Sequence, residues 1–126
     1  MWTNDYIGIP FVEHGRSHEG CDCWGLVRLV YKEQLSIELP DLSEQYSNTK
    51  DAGIQNIVFA QKPKWRTANK PQEFDVILVR MRGAEMHVGL VAGHNQMLHI
   101  RAGIDATIER FNTPVWNKRI IGFYRQ

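Results

Sequence analysis

The hydrophobic pattern of this 126-residue chain changes its period near Pro71, and this change constrains the fold most. Before it, residues 23–34 carry apolar side chains at helical spacing, with Leu26, Val27 and Val30 on one face. After it, apolar residues form short runs separated by turn residues, a pattern typical of strands. A helix followed by consecutive short strands predicts an α+β fold, with N-terminal helices packed on one face of a C-terminal antiparallel sheet.

The C-terminal part predicts a sheet of about five strands, at residues 74–80, 87–92, 96–101, 107–110 and 119–125. The first is apolar at nearly every position and is therefore expected to be buried on both faces. The other segments predict a short helix or turn at 2–10, a loop at 11–20, a short amphipathic helix at 51–60 and a loop anchored by Trp65 at 61–72.

Composition narrows the class of protein. A length of 126 residues predicts a single domain covering 1–126, and 43% hydrophobic residues are enough for a core. A net charge of +1 gives no reason to expect a nucleic-acid partner. No apolar run approaches the roughly 18 residues that span a bilayer, so no membrane insertion is expected. The first residues lack the basic and apolar regions of a signal peptide, so we expect synthesis in the cytoplasm without one.

The candidate nucleophile lies in the stretch Gly20-Cys-Asp-Cys-Trp-Gly-Leu-Val27. Asp22 occupies the position expected of a helix N-cap, and Cys23 the first helical position. Unpaired N–H groups and the helix dipole favour negative charge there, so we expect the Cys23 thiol to ionise easily and to act as a nucleophile. Gly25 lies two residues after Cys23 and has no side chain, so it can let another element approach beside the thiol. The alternative interpretation is a weak point in the helix, since a glycine there costs about 1 kcal/mol relative to alanine.

A cysteine nucleophile needs a base, and the chain has histidines at 14, 18, 87, 94 and 99. Those at 14, 18 and 94 fall in predicted loops and are expected to be exposed. If residues 93–95 form a three-residue hairpin loop, Gly89 pairs with His99, and His87 and His99 share a face as diagonal neighbours. A loop one residue shorter or longer would place the two histidines on opposite faces.

These positions suggest a Cys23–His87–His99 triad. His87 takes the thiol proton or holds it as an ion pair, and His99 orients the His87 ring. The Cys23 N–H contributes to an oxyanion hole. No cofactor is expected, because a zinc site built from His14, His18 and the two cysteines would have poor ligand spacing. A disulfide is not expected either, because Cys21 and Cys23 are too close in sequence for an unstrained one.

Two segments carry a family resemblance. The stretch ending in Gly-Cys-Asp-Cys23-Trp-Gly-Leu-Val, together with His87-Val-Gly-Leu-Val-Ala-Gly and Met97-Leu-His99, resembles the NlpC family of papain-like cell-wall peptidases. The resemblance implies a papain-like fold and a cysteine endopeptidase acting on the stem peptides of peptidoglycan, commonly at the bond between D-glutamate and the diamino acid. It also implies Cys23, His87 and His99 as the catalytic residues, with Asp22, Phe11, Trp24 and Gly25 around the substrate and oxyanion.

The match is closest to the phage tail-assembly branch, through Trp24, Gly8-Ile-Pro10 and Ile121-Gly-Phe-Tyr-Arg125. This implies other phage tail proteins as partners and a place of action at the cell wall. Phe11 stands where relatives have a tyrosine whose hydroxyl reaches the active site, and Trp24 is expected to narrow the cleft. Two alternatives therefore stay open: an inactive structural or binding tail module of the same fold, and an amidase or acyltransferase acting on a small substrate.

Overall fold

A computed structural model describes residues 1–44, 46, 65–82 and 85–126. A 3-10 helix at Trp2–Asp5 precedes the long helix α1, Cys23–Leu35, which confirms the predicted helix. The helix begins where the Asp22 side chain accepts a hydrogen bond from the Gly25 N–H, and it ends at Ser36 in the left-handed region. The helix predicted at 51–60 lies outside the described residues. In the described part of the chain, no helix has the length and apolarity needed to cross a bilayer.

Eight strands are described. They are β1 (Arg16–Ser17), β2 (Gly20–Cys21), β3 (Arg66–Ala68), β4 (Val76–Arg80), β5 (Met86–Gly93), β6 (Gln96–Arg101), β7 (Ile104–Arg110) and β8 (Ile120–Arg125). The last six form one sheet in the order β3-β8-β4-β5-β6-β7, and every neighbouring pair is antiparallel. The α+β prediction is confirmed, with six strands in the sheet where about five were expected. Strand β3 was not predicted, because three mostly exposed residues at a sheet edge are too few to show an alternating pattern.

The sheet is covered on both faces. Val76 and Leu78 of β4 pack on the α1 side, whereas Ile77 and Val79 pack on the other side. The prediction that this strand is buried on both faces is therefore confirmed. It begins at Val76, two residues later than predicted, because Phe74 has a φ of 74° that does not fit a strand. The second face is closed by Phe111 and Trp116, the latter from a short helix α2, Pro114–Asn117, that was not predicted.

Residues 11–20 were predicted to form a loop, but the structure also has strand there. They contain β1, which pairs with β2 in a small hairpin against the start of α1. The Gly15 carbonyl of this segment lies only 2.0 Å from where a Cβ on Gly25 would stand, so Gly25 does permit the close approach that was expected.

The β5–β6 turn has two residues, His94 and Asn95, instead of the predicted three. An irregularity between Val91 and Gly93 compensates for the shorter turn, so Leu90 still pairs with Leu98 as expected. His87 and His99 consequently lie on the same face of the sheet, which confirms that part of the prediction.

Candidate active site

The start of α1 is fixed by Asp22, whose side chain is fully buried. One carboxylate oxygen accepts hydrogen bonds from the Gly25 N–H and the Arg16 guanidinium, both at 2.8 Å. The other accepts from the Tyr46 hydroxyl and, at 2.9 Å, from the His14 N–H. A buried carboxylate with four donors is fully compensated, and it holds the first turn of α1 in one position.

Cys23 and His87 line the same small cavity, at the place where β5 begins and β6 ends. The remaining walls are Met81, Glu85, Met86, Ile100, Arg101 and Ala102. The cysteine is 2% exposed and His87 5%, so both are almost completely removed from water. The cavity brings together the two residues that the sequence predicted as nucleophile and base.

A chain of polar contacts leads away from His87 on the second face of the sheet. Its Nε2 lies 2.9 Å from Nδ1 of His99, and Nε2 of His99 contacts a carboxylate oxygen of Glu109 on β7. The His99 ring also stands edge-on to Trp116, with ring centroids 5.4 Å apart. Glu109 was not among the predicted site residues. It pairs with Met97 across β6 and β7, and therefore lies on the same face of the sheet as His99. That placement follows only from the register of β6 against β7, which the sequence does not fix.

Burial keeps both imidazoles neutral. It lowers the pKa of His87 well below its ordinary value, and the nearby His99 and Arg101 lower it further. Burial also lowers the pKa of His99, although Glu109 acts in the opposite direction. A carboxylate can only accept, so neutral His99 donates from Nε2 to Glu109 and accepts at Nδ1 from His87 Nε2–H. His87 is thereby left with a bare Nδ1, which is able to accept a proton.

The expectation of an easily ionised Cys23 is wrong for this closed site. Burial is the main cause that raises the pKa of its thiol to about 12, and the Asp22 charge adds to the increase. Backbone hydrogen bonds from Val88 and Trp24 act against this but do not outweigh it. Cys21, also buried, has its pKa raised to about 12 for the same main reason. A neutral thiol facing a neutral imidazole is a general-base arrangement, not a preformed ion pair.

Other predicted residues lie apart from this cavity. Trp24 does not narrow the cleft: its side chain is 1% exposed in the core, and its indole N–H donates to the Pro40 carbonyl at 2.9 Å. Burying a large apolar side chain in the core removes more of its surface from water, and so stabilises the protein more, than placing it on the wall of a cavity. Phe11 packs half-buried against the helix-side core and bridges to Cys21 through the backbone. His14 is half-buried instead of exposed, because its ring bonds to the Tyr46 carbonyl at 2.9 Å.

His18 and His94 are exposed, as predicted. His18 contacts Glu33 at 2.8 Å on the surface of α1 and stacks on Tyr6. Within the described ranges, no three His, Cys, Asp or Glu side chains lie close enough to hold a metal ion.

The sequence matches the NlpC/P60 family over residues 8–125. It is 30% identical over 116 residues to the Escherichia coli K12 protein named murein DD-endopeptidase MepS/murein LD-carboxypeptidase, covering 91% of this chain and 54% of that protein. It is 28% identical over 122 residues to the Bacillus subtilis γ-DL-glutamyl hydrolase, covering 95% and 27%. The chain thus spans about half the length, or less, of these relatives.

Solved structures show the same fold. A Staphylococcus aureus structure described as similar to lipoprotein, NLP/P60 family, superposes with a TM-score of 0.62 at 25% identity, covering 95% of this chain and 37% of that one. An NlpC/P60 family protein from Bacillus cereus gives a TM-score of 0.67 at 24% identity, covering 96% and 36%.

Proposed function

Because the chain belongs to the NlpC/P60 family, we propose that it is a cysteine endopeptidase that hydrolyses peptidoglycan stem peptides. The observation that carries the proposal is the cavity shared by Cys23 and His87, with His99 2.9 Å behind the base. A nucleophile, a base and a group that orients the base are the parts that acyl transfer requires.

The proposed reaction begins when the scissile carbonyl reaches the cavity. Nδ1 of His87 takes the thiol proton as the Cys23 sulfur attacks the carbonyl carbon. The Cys23 N–H, which has no intrahelical acceptor in the first turn, donates to the developing oxyanion. The imidazolium then protonates the leaving amine, and a thioester remains. Water, deprotonated by His87, hydrolyses the thioester and restores the thiol.

We assign the cleavage to the bond between D-glutamate and the diamino acid. The resemblance at Cys23 and His87 supports this bond, and so does the similarity to a protein named γ-DL-glutamyl hydrolase. The E. coli relative is named instead for DD-endopeptidase and LD-carboxypeptidase activities. Product masses from purified muropeptides distinguish these bonds directly.

The roles are tested by initial cleavage rates on a defined stem peptide. We expect Cys23→Ala and His87→Ala to abolish cleavage. His99→Gln keeps an acceptor for the His87 N–H and should retain measurable activity, whereas His99→Ala should lose more. Far-UV dichroism checks folding. If the folded wild-type protein cleaves no stem peptide, the alternative of an inactive structural or binding module replaces the enzyme.

We further propose that the protein works as a component of a phage or phage-like tail at the cell wall, alongside other tail proteins. The support is the sequence resemblance at Trp24, at residues 8–10 and at residues 121–125. In the structure Trp24 is buried in the core and residues 121–125 belong to β8. The residues at these two places that resemble the phage tail branch are therefore parts of the folded core and sheet. Mass spectrometry of purified tail particles tests this role, and a chain consistently absent from them would contradict it.

A further inference from the structure

Arg101 links the catalytic cavity to a wider groove beside it. It is the last residue of β6 and lines both spaces. Arg82 and Arg119 line the same groove, and the acidic residue on its walls is Glu85. Three guanidinium groups against one carboxylate give the groove a net positive charge, so it favours an anionic ligand over a neutral or cationic one.

The Arg101 side chain also has an unused donor. Its Nε is buried and has no hydrogen-bond partner among the described residues. The guanidinium carbon lies 5.9 Å from the Trp116 ring centroid, so the group is held beside an aromatic wall. No ion pair joins Arg101 to Glu85 in the described part of the chain. A buried donor without an acceptor is costly unless a ligand supplies one, and carboxylates fit the guanidinium fork.

We propose that Arg101 is a specificity residue that binds the free α-carboxylate of a γ-linked D-glutamyl residue in the substrate. The inference rests on the proposed function, because it places that residue on the carbonyl side of the scissile bond. A γ-linkage leaves the α-carboxylate free on the same residue that supplies the scissile carbonyl, a few bonds from the reacting carbon. Arg101 lines the cavity that holds Cys23, and so lies where this carboxylate is delivered.

The matched substrate is the same peptide with its α-carboxylate converted to a carboxamide. The amide is almost identical in size, but it is neutral and presents N–H groups to a guanidinium that can only donate. We expect the wild-type protein to prefer the acid over the amide by about tenfold or more in kcat/KM. Arg101 also lowers the pKa of His87, but a change in the histidines affects both peptides alike and cancels in the ratio.

The experiment measures the acid-to-amide ratio of kcat/KM in wild type, Arg101→Gln, Arg101→Lys and Arg66→Gln. We expect the ratio to fall towards one in Arg101→Gln and to an intermediate value in Arg101→Lys, which keeps the charge but not the fork. Arg66 is exposed on β3 at the far edge of the sheet, so Arg66→Gln should keep the wild-type ratio. A wild-type ratio near one, or a ratio that survives Arg101→Gln, overturns the assignment.

Binding separates this inference from the proposed function. Calorimetric titration of Cys23→Ala with both peptides needs no chemistry. Tighter binding of the acid, lost on adding Arg101→Gln, supports the carboxylate site even if the wild type cleaves neither peptide. Equal affinity for the two peptides rules the site out, even if both are cleaved.

Discussion

Replacing Gly25 by alanine sets helix propensity against packing. The residue lies in the first turn of α1, where alanine should be favoured by about 1 kcal/mol from propensity alone. The added Cβ, however, would stand 2.0 Å from the Gly15 carbonyl oxygen, where ordinary contacts begin at 3.4 Å. The carbonyl and the helix would have to separate by the difference, about 1.4 Å.

The Gly15 carbonyl has little freedom to move. It accepts a hydrogen bond from the Arg16 guanidinium at 2.9 Å, and the Gly15 N–H donates to Val12 at 2.8 Å. Overpacking of this kind costs about 3 kcal/mol, so after subtracting the propensity gain we expect Gly25→Ala to destabilise the protein by about 2 kcal/mol. For a chain of this size the melting temperature should fall by about 8 °C.

The assay is urea unfolding followed by tryptophan fluorescence, together with the thermal midpoint. The propensity term is measured in the same helix as the stability difference between Lys32→Ala and Lys32→Gly, at an exposed position. We also expect slower peptide cleavage by Gly25→Ala, because the helix start carries Cys23. A variant as stable as wild type, or more stable, would refute the packing argument.

Three further predictions follow from the same region. Asp22→Ala removes the helix cap and leaves the Arg16 charge without its buried partner, so urea unfolding should show a loss of about 3–5 kcal/mol; a loss below about 1 kcal/mol would contradict this. The free energy of unfolding should fall between pH 7 and pH 5. The lowered pKa of His87 keeps this residue neutral in the folded protein, whereas in the unfolded chain it takes up a proton below about pH 6.5. The fall should be smaller in His87→Gln. Iodoacetamide should modify Cys23 slowly at neutral pH, with a rate that keeps rising up to pH 10; a plateau below pH 8.5 would show a lowered thiol pKa.

Local signals predicted the parts of the fold that depend on local chemistry. The apolar spacing after Cys23 and the capping residue Asp22 fixed both the existence and the start of α1. The assumed pairing of β5 with β6 placed His87 and His99 on one face, although the turn length was wrong by one residue. The irregularity near Ala92 compensated for that error, and such bulges leave no clear mark in the sequence.

The remaining features depend on contacts distant in sequence. Trp24 is adjacent to the candidate nucleophile, yet its side chain packs in the core, and only the tertiary structure decides this. Glu109 meets His99 across a strand pair whose register depends on the β6–β7 turn. The direction of the Cys23 pKa shift was also predicted wrongly. The helix terminus, which lowers the pKa of a thiol, was visible in the sequence, whereas the burial that raises it was not.

The burial of Cys23 has a consequence for the chemical durability of the protein. Oxidation of a cysteine to sulfenic acid proceeds through the thiolate and requires access, and the resting site offers neither. In the proposed role at the cell wall, the protein meets oxidants and electrophiles that reducing systems inside the cell would remove. A thiol that is buried and held protonated resists both kinds of reagent, so in that proposed role the Cys23 sulfur would stay reduced until substrate arrives.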